Sequence, residues 1–264
     1  MVLRTFRTAV VAAAIFLGIP AAANAASFSF PLAGWWPMNE GSGQVVRDWS
    51  GQGNNGYLGT TPGVDSSDPT WVDGVFWGSA LRFFGDDNVT IPASDSLRPQ
   101  RLTVAAWIRY DKANFTSDQP GIFRTAVTMG DDNCQGGSYG LITSTNLGMQ
   151  FYITVNNNPV LSPAALPTTW DGKWHHVAGT FDGTKVRLYV DGKQVGTGTS
   201  VPAGTKIQYN LPTTNNGGIG GLPGECDASQ LNFEGDVDGV QIWNQAIPVD
   251  TVWAILKSLF TSAR

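Results

Sequence analysis

Glutamate occurs only at positions 40, 225 and 234 and histidine only at 175 and 176, so acid–base chemistry has few places to reside in this chain. Retaining glycoside hydrolysis needs two carboxyl groups about 5–5.5 Å apart, one a nucleophile and one held protonated by its surroundings. The run that comes nearest is Glu234-Gly-Asp236-Val-Asp238, where residues two apart share a strand face. Asp236 and Asp238 are therefore the enzymatic candidates. A Ser-His-Asp site is limited by the adjacency of the two histidines, because neighbouring strand residues face opposite sides. No Gly-x-Ser-x-Gly elbow precedes a helix, and both imidazoles read as structural.

Oxygen-rich chemistry has a better location. Calcium takes six to eight oxygen ligands and often mixes carboxylates with backbone carbonyls of a glycine-rich loop. The segment Asp48-Trp-Ser-Gly51-Gln-Gly-Asn54-Asn55-Gly56 has that composition without matching an EF-hand. An Asx-turn loop, with Asp48 bonding its own backbone, is the competing reading of the same residues.

Ten tryptophans offer faces on which sugar rings stack, with amides and carboxylates to bond the hydroxyls. Trp36, Trp107, Trp174 and Trp243 fall in strand-like runs and read as core. Trp49, Trp71, Trp77 and Trp170 fall in loops and are the candidate platforms. Asp131, Asp132 and Asn133 flank Cys134, and Glu225 and Asp227 flank Cys226, so these two loops form a candidate polar rim.

The elements that must hold such groups are strands. Trp174 to Gly196 reads as two strands joined at Asp182-Gly183-Thr184, with a second turn at Asp191-Gly192. Asp-Gly supplies the positive φ of short hairpin turns. Val186, Leu188 and Val190 alternate with Lys185, Arg187 and Tyr189, while neither side of the preceding strand is polar. That strand belongs inside a sheet covered on both faces. Further strands are expected at 45–46, 80–83, 89–91, 102–110, 122–127, 139–143, 148–155, 207–211 and 233–243, with 160–166 leading into the central hairpin. The stretch 215–221 reads as a flexible turn, and 249–260 as a short amphipathic C-terminal helix. Two packed antiparallel sheets of roughly 12 to 14 strands follow.

WHHVAGTFDGTKVRLYVDGKQVG at 174–196 resembles the signature hairpin of bacterial LamG-like jelly-roll domains, relatives of laminin G modules, pentraxins and concanavalin A-like lectins. WPMNEGSG at 36–43, DWSGQGNNGYL at 48–58, GSALRF at 78–83, LTVAAWI at 102–108 and FEGDVDGVQIWNQAI at 233–247 match in family order. The resemblance implies an all-β, two-sheet antiparallel jelly-roll β-sandwich over 26–264. It also implies a structural Ca²⁺ held by Asp48, the Gly51 carbonyl, Asn54, Asn55 and Asp238, although this chain has Asp238-Gly239 where relatives often carry Asp-Asp. Hydrolases of this fold carry Glu-x-Asp-x-(x)-Glu, a pattern missing here. The implied function is a non-catalytic binding module, most simply for carbohydrate, with protein adhesion as the alternative and a glycan hydrolase or lyase third.

Composition agrees. Thirty-two glycines, 15 prolines and 14% charged residues describe a turn-rich β protein. A net charge of −5 with scattered basic residues excludes a nucleic-acid partner, since phosphate binding needs clustered Lys and Arg. Residues 1–25 read as a signal peptide, with Arg4 and Arg7 before an apolar run and Ala23-Asn24-Ala25 before the cleavage point. Secretion is the expectation, without membrane insertion of the mature chain. Export would make Cys134 and Cys226 most simply a disulfide; a metal–thiolate pair is the alternative, without further ligands at zinc spacing.

Overall fold

The computed structural model describes residues 32–75, 78–111, 123–131, 137–143, 148–209, 216–222, 232–248 and 250–251. The expected signal peptide, both cysteines and nearly all of the expected C-terminal helix lie outside the described residues.

Two antiparallel sheets make up the domain. The first has nine strands, and its main path runs through seven of them. In spatial order they are β14 (Lys193–Gln194), β13 (Lys185–Val190), β12 (Asp171–Phe181), β7 (Leu102–Asp111), β17 (Gly235–Trp243), β5 (Ser79–Phe83) and β4 (Thr70–Asp73). β15 (Thr199–Ser200) pairs with β13. β1 (Leu32–Trp36) takes the end of β17 that β5 leaves open, Leu32 opposite Trp243 and Trp36 opposite Val240. The second sheet has eight strands: β11 (Asn158–Leu161), β10 (Met149–Val155), β9 (Gly137–Thr143), β8 (Thr125–Asp131), β16 (Gly217–Ile219), β6 (Val89–Ile91), β3 (Gly56–Leu58) and β2 (Val45–Val46). This is the expected sandwich, with more strands than expected in part because β14 and β15 are two-residue pairings too short to show a period.

The central hairpin forms as its sequence dictates. The Asp182 carboxylate accepts the N–H groups of Thr184 and Lys185, both at 2.8 Å, and Gly183 sits at φ 95°. Partial burial alone would raise the Asp182 carboxyl. Arg187, Thr184 and Lys185 outweigh it and hold the group well below the usual carboxylate range. β12 is buried from His176 to Phe181 by residues on both faces. Two expectations are corrected. Residues 207–209 are not a strand, and 215–221 contains β16, a buried strand between β6 and β8. Its Gly217 lies so near Met129 that a Cβ there would stand 2.3 Å from the sulfur.

Between the sheets, Val104, Ile108, Val177 and Leu188 meet Val127, Leu141, Phe151 and Ile153, all fully buried. Gly179 belongs to this contact, because a Cβ on it would fall 2.2 Å from the Phe151 ring. Gly179→Ala is expected to cost about 1–3 kcal/mol through overpacking. In a Phe151→Ala background the same change should cost much less. Denaturant unfolding of the four proteins measures this, and additive effects would show that the ring moves aside freely.

Candidate functional site

The outward residues of the nine-stranded sheet make the site. Alternation along β7 sends Thr103, Ala105, Trp107 and Arg109 away from the sandwich core. Strand register then sets their neighbours. Trp174 on β12 and Asp236 on β17 lie opposite Arg109, and Arg82 on β5 lies opposite Asp236. One row across four strands thus reads Trp174, Arg109, Asp236, Arg82. The next row reads His176, Trp107, Asp238.

Asp236 holds the first row together. Arg82 donates from Nε to Oδ1 at 2.7 Å and from Nη2 to Oδ2 at 3.2 Å. Arg109 donates from Nε to Oδ2 at 2.6 Å, and its guanidinium lies 4.7 Å from the centroid of the Trp174 ring. The Asp236 side chain is 4% exposed, whereas those of Arg82 and Arg109 are 54% and 30% exposed. Hydrogen bonding and charge from Asp236 raise the Arg82 guanidinium above its ordinary value.

Beside this row lies an open groove of about 690 Å³, lined by Asn39, Trp71, Asp73, Ser79, Arg82 and Arg109 among others. It stays open on one side because β4 is the last strand of the main path. The Trp71 ring is fixed by its Nε1–H, which donates to the Gly43 carbonyl at 3.0 Å. Two guanidinium groups, the Asn39 amide and the Asp73 carboxylate thus border one space with the Trp71 indole, which packs against the sandwich core beside it, while the Ser79 hydroxyl is bonded to the Met38 carbonyl.

The second row is closed. His176 is 2% exposed and meets the edge of Trp107 at 5.3 Å between ring centroids. Burial pushes its imidazole down to about 4, against the pull of Asp191. Asp238 accepts the Val75 N–H at 3.0 Å, and burial pushes its carboxyl up to about 7 despite the Val75 and Gly239 N–H groups. His175 faces the other way, its Nδ1 2.8 Å from Asp191 and its ring edge-on to Trp170. The two histidines face opposite sides of β12, as their adjacency implied. Asp236 and Asp238 share a face but do not form an acid–nucleophile pair, since one is clamped by two arginines and the other lies buried under the 74–75 backbone.

The expected calcium ligands are engaged otherwise. Asp48 Oδ1 accepts the N–H groups of Trp35 (2.9 Å) and Ser50 (2.8 Å), and Oδ2 accepts that of Asn54 (2.8 Å). Asn55 Oδ1 accepts the Asp48 N–H, and the Asn54 carbonyl accepts the Trp36 indole N–H at 2.7 Å. The Asn54 amide donates to the Ala33 carbonyl and to Ser96 Oγ. N–H donors converge on these oxygens, which suits an Asx-turn staple and does not suit a cation. Gly51 is a positive-φ turn residue, φ 84°. Asp238 has separate partners, and the described residues hold no group of three or more His, Cys, Asp or Glu fit for a metal.

Of the tryptophan platforms, Trp71 borders the groove, but from the edge strand β4 rather than from a loop, and its ring packs partly against the core. Trp49 is 53% exposed, packs edge-on against Trp35 at 5.8 Å and does not line the groove. Trp170 is corrected: it is buried and stacked on Tyr110, ring centroids 4.6 Å apart. The 3₁₀ turn at Pro167–Thr169 precedes it, and the ring lies inside the sandwich. Trp174, read as core, is half-buried on the outer face instead. Trp77, Asp132, Asn133 and Asp227 and the Asp131 side chain lie outside the described residues. The sequence reading missed Asn39, Arg82 and Arg109.

The sequence profile of the Concanavalin A-like lectin/glucanases superfamily matches residues 83–252. No curated protein matches the chain in sequence. Among solved structures, the binding domain of Paraclostridial Mosquitocidal Protein 1 is similar at TM-score 0.63 and 15% identity, over 87% of this chain and 52% of that one. The botulinum neurotoxin serotype D ligand binding domain, in complex with N-acetylneuraminic acid, is similar at TM-score 0.61 and 10% identity, over 86% and 51%. Domain 4 of AbnA, an extracellular arabinanase from Geobacillus stearothermophilus in complex with arabinotriose, is similar at TM-score 0.54 and 17% identity, over 84% and 97%. The chain spans about half the length of the first two, and at these identities the likeness shows a jelly-roll fold.

Proposed function

The chain belongs to the concanavalin A-like lectin/glucanase superfamily, and from that premise we propose that it is a non-catalytic carbohydrate-binding module whose ligand lies in the groove beside Arg82 and Arg109. The groove carries this reading: a partly buried indole with an amide, a carboxylate and two guanidinium groups around it offers the apolar and polar contacts that a sugar ring takes. Solved domains of this shape in complex with arabinotriose and N-acetylneuraminic acid support it. The environments of Asp236 and Asp238 speak against hydrolysis, which needs one free carboxylate and one protonated acid across a ligand. The protein works outside the cell on the reading of residues 1–25 as a signal peptide.

A glycan array of the mature protein, run with calcium and with a chelator, tests the proposal. Specific hits that Trp71→Ala abolishes are expected; an array without hits would shift the assignment to a protein partner. The hits should survive chelation, because the Asp48 loop is closed by N–H donors. Asp48→Ala is expected to cost about 1–3 kcal/mol by leaving those donors unmatched, and thermal unfolding of the unmodified protein should not respond to the chelator. A chelator-induced fall in Tm would restore the calcium reading.

A further inference from the structure

Arg82 and Arg109 are more cation than one buried carboxylate requires. A guanidinium carries five N–H donors in a planar fork. Asp236 occupies the Nε–Nη2 edge of each. Among the described residues nothing takes up the Nη1 groups, and both side chains line the groove. Asp236 itself is shielded beneath them, so the Trp174–Arg109–Asp236–Arg82 row presents a net single positive charge through two oriented forks. The Trp174 ring under Arg109 and the shared carboxylate remove the rotamer freedom that a long cationic side chain otherwise loses on binding. Asp73 stands on the β4 wall as the groove's own negative charge, so an anionic ligand is repelled there and directed to the arginine side.

We propose that the groove selects glycans carrying an anionic group, a carboxylate or a sulfate ester, received by Arg82 and Arg109 while Asp236 acts as a positioning residue. The inference rests on the glycan reading of the same groove. The ligand's acidic group lies in the fork of both guanidinium groups and its ring lies toward Trp71, with hydroxyls toward Asn39 and Asp73. Planar bidentate pairing fits both anions, and charge-assisted hydrogen bonds give the selectivity over a neutral sugar.

Calorimetric titration of the whole protein with tetragalacturonate, a sulfated galactose tetrasaccharide and neutral galactotetraose tests this. At low salt an acidic ligand is expected to bind about tenfold to a hundredfold more tightly than the neutral one, with a preference that shrinks as salt rises. Whichever acidic arm binds identifies the anion. Arg82→Gln, at a half-exposed position, should erase the preference, so that acidic affinity falls to that of the neutral ligand measured with the same variant. Asp236→Asn should lower acidic affinity and steepen its salt dependence, since the row gains a charge while losing its alignment; a merely structural Asp236 would leave the salt slope unchanged. Equal binding of acidic and neutral ligands, or an acidic preference that survives Arg82→Gln, overturns the inference and leaves the glycan reading standing. No binding of any of the three, together with an empty array, removes both.

Discussion

Trp36→Ala is expected to lower the unfolding free energy by about 3–5 kcal/mol, the range for deleting a large aromatic from a packed interior. Trp36 is fully buried, and its ring lies over Gly34, where a Cβ would stand 2.3 Å away. The loss exceeds the cavity. Its indole N–H is the donor to the Asn54 carbonyl, while Asn54 in turn holds Ala33 and Ser96. Asp48 bonds the Trp35 N–H one residue earlier, so β1 and the 48–55 loop are one unit. Trp36→Phe should separate the parts, recovering most of the packing and none of the hydrogen bond. Denaturant midpoints at constant m-value measure both, and an alanine variant within about 1 kcal/mol of the parent would show that the unit is dispensable.

Asp238→Asn is expected to expose a pH dependence that the parent protein conceals. Unfolded, histidine titrates near 6.5 and aspartate near 3.9. Folded His176 is pushed down to about 4 by burial, so between roughly pH 6.5 and 4 the unfolded chain gains a proton that the folded chain refuses. Stability from His176 is complete above that window and is lost as pH falls through it. Asp238 works in the opposite sense. Burial pushes it up to about 7, so folded Asp238 keeps a proton between roughly pH 4 and 7 that the unfolded chain has released. Its contribution is complete below the window and is lost as pH rises. The two slopes, each up to about 1.4 kcal/mol per pH unit, oppose one another on either side of Trp107. Relative to the parent, Asp238→Asn should lose about 3 kcal/mol more between pH 7 and pH 4, and His176→Gln should shift the slope the other way. Unfolding by urea across that range measures the difference; parallel profiles would mean that neither group is desolvated as described.

Much of the sandwich was legible because inward and outward residues alternate. β5, β6, β7, β9, β10 and the β12–β13 hairpin lie where the pattern put them, give or take a residue or two. β16 was hidden because Gly217 and Gly218 carry no side chain from which a period could be read, and glycine usually marks a turn. The same argument failed for Trp170, since a loop tryptophan next to a strand turns inward as readily as outward. The site was legible in pieces. Trp71 was singled out from an expected loop that proved to be the edge strand β4, and Asp236 and Asp238 from their spacing. Arg82 and Arg109 looked like ordinary outward residues, because their shared partner lies on β17, more than 120 residues along the chain. Opposite charges on strands whose order is unknown give no local signal. Only the order β7, β17, β5 turns three isolated residues into a cluster.

The pairing of β1 with β17 has a mechanical side. Leu32 begins one strand and Trp243 ends its antiparallel partner, so the chain enters and leaves this pairing side by side. Tension applied between those two points would not shear the strands along their length, where all the cross-strand bonds resist together. It would peel them, one bond after another from the Leu32 end toward Trp36. The first segment to come away would be the one that carries Trp36, and the Asn54 loop would be released with it. A tether pulling on both ends would therefore open this corner early, while the groove row on β5, β7 and β17 is still paired.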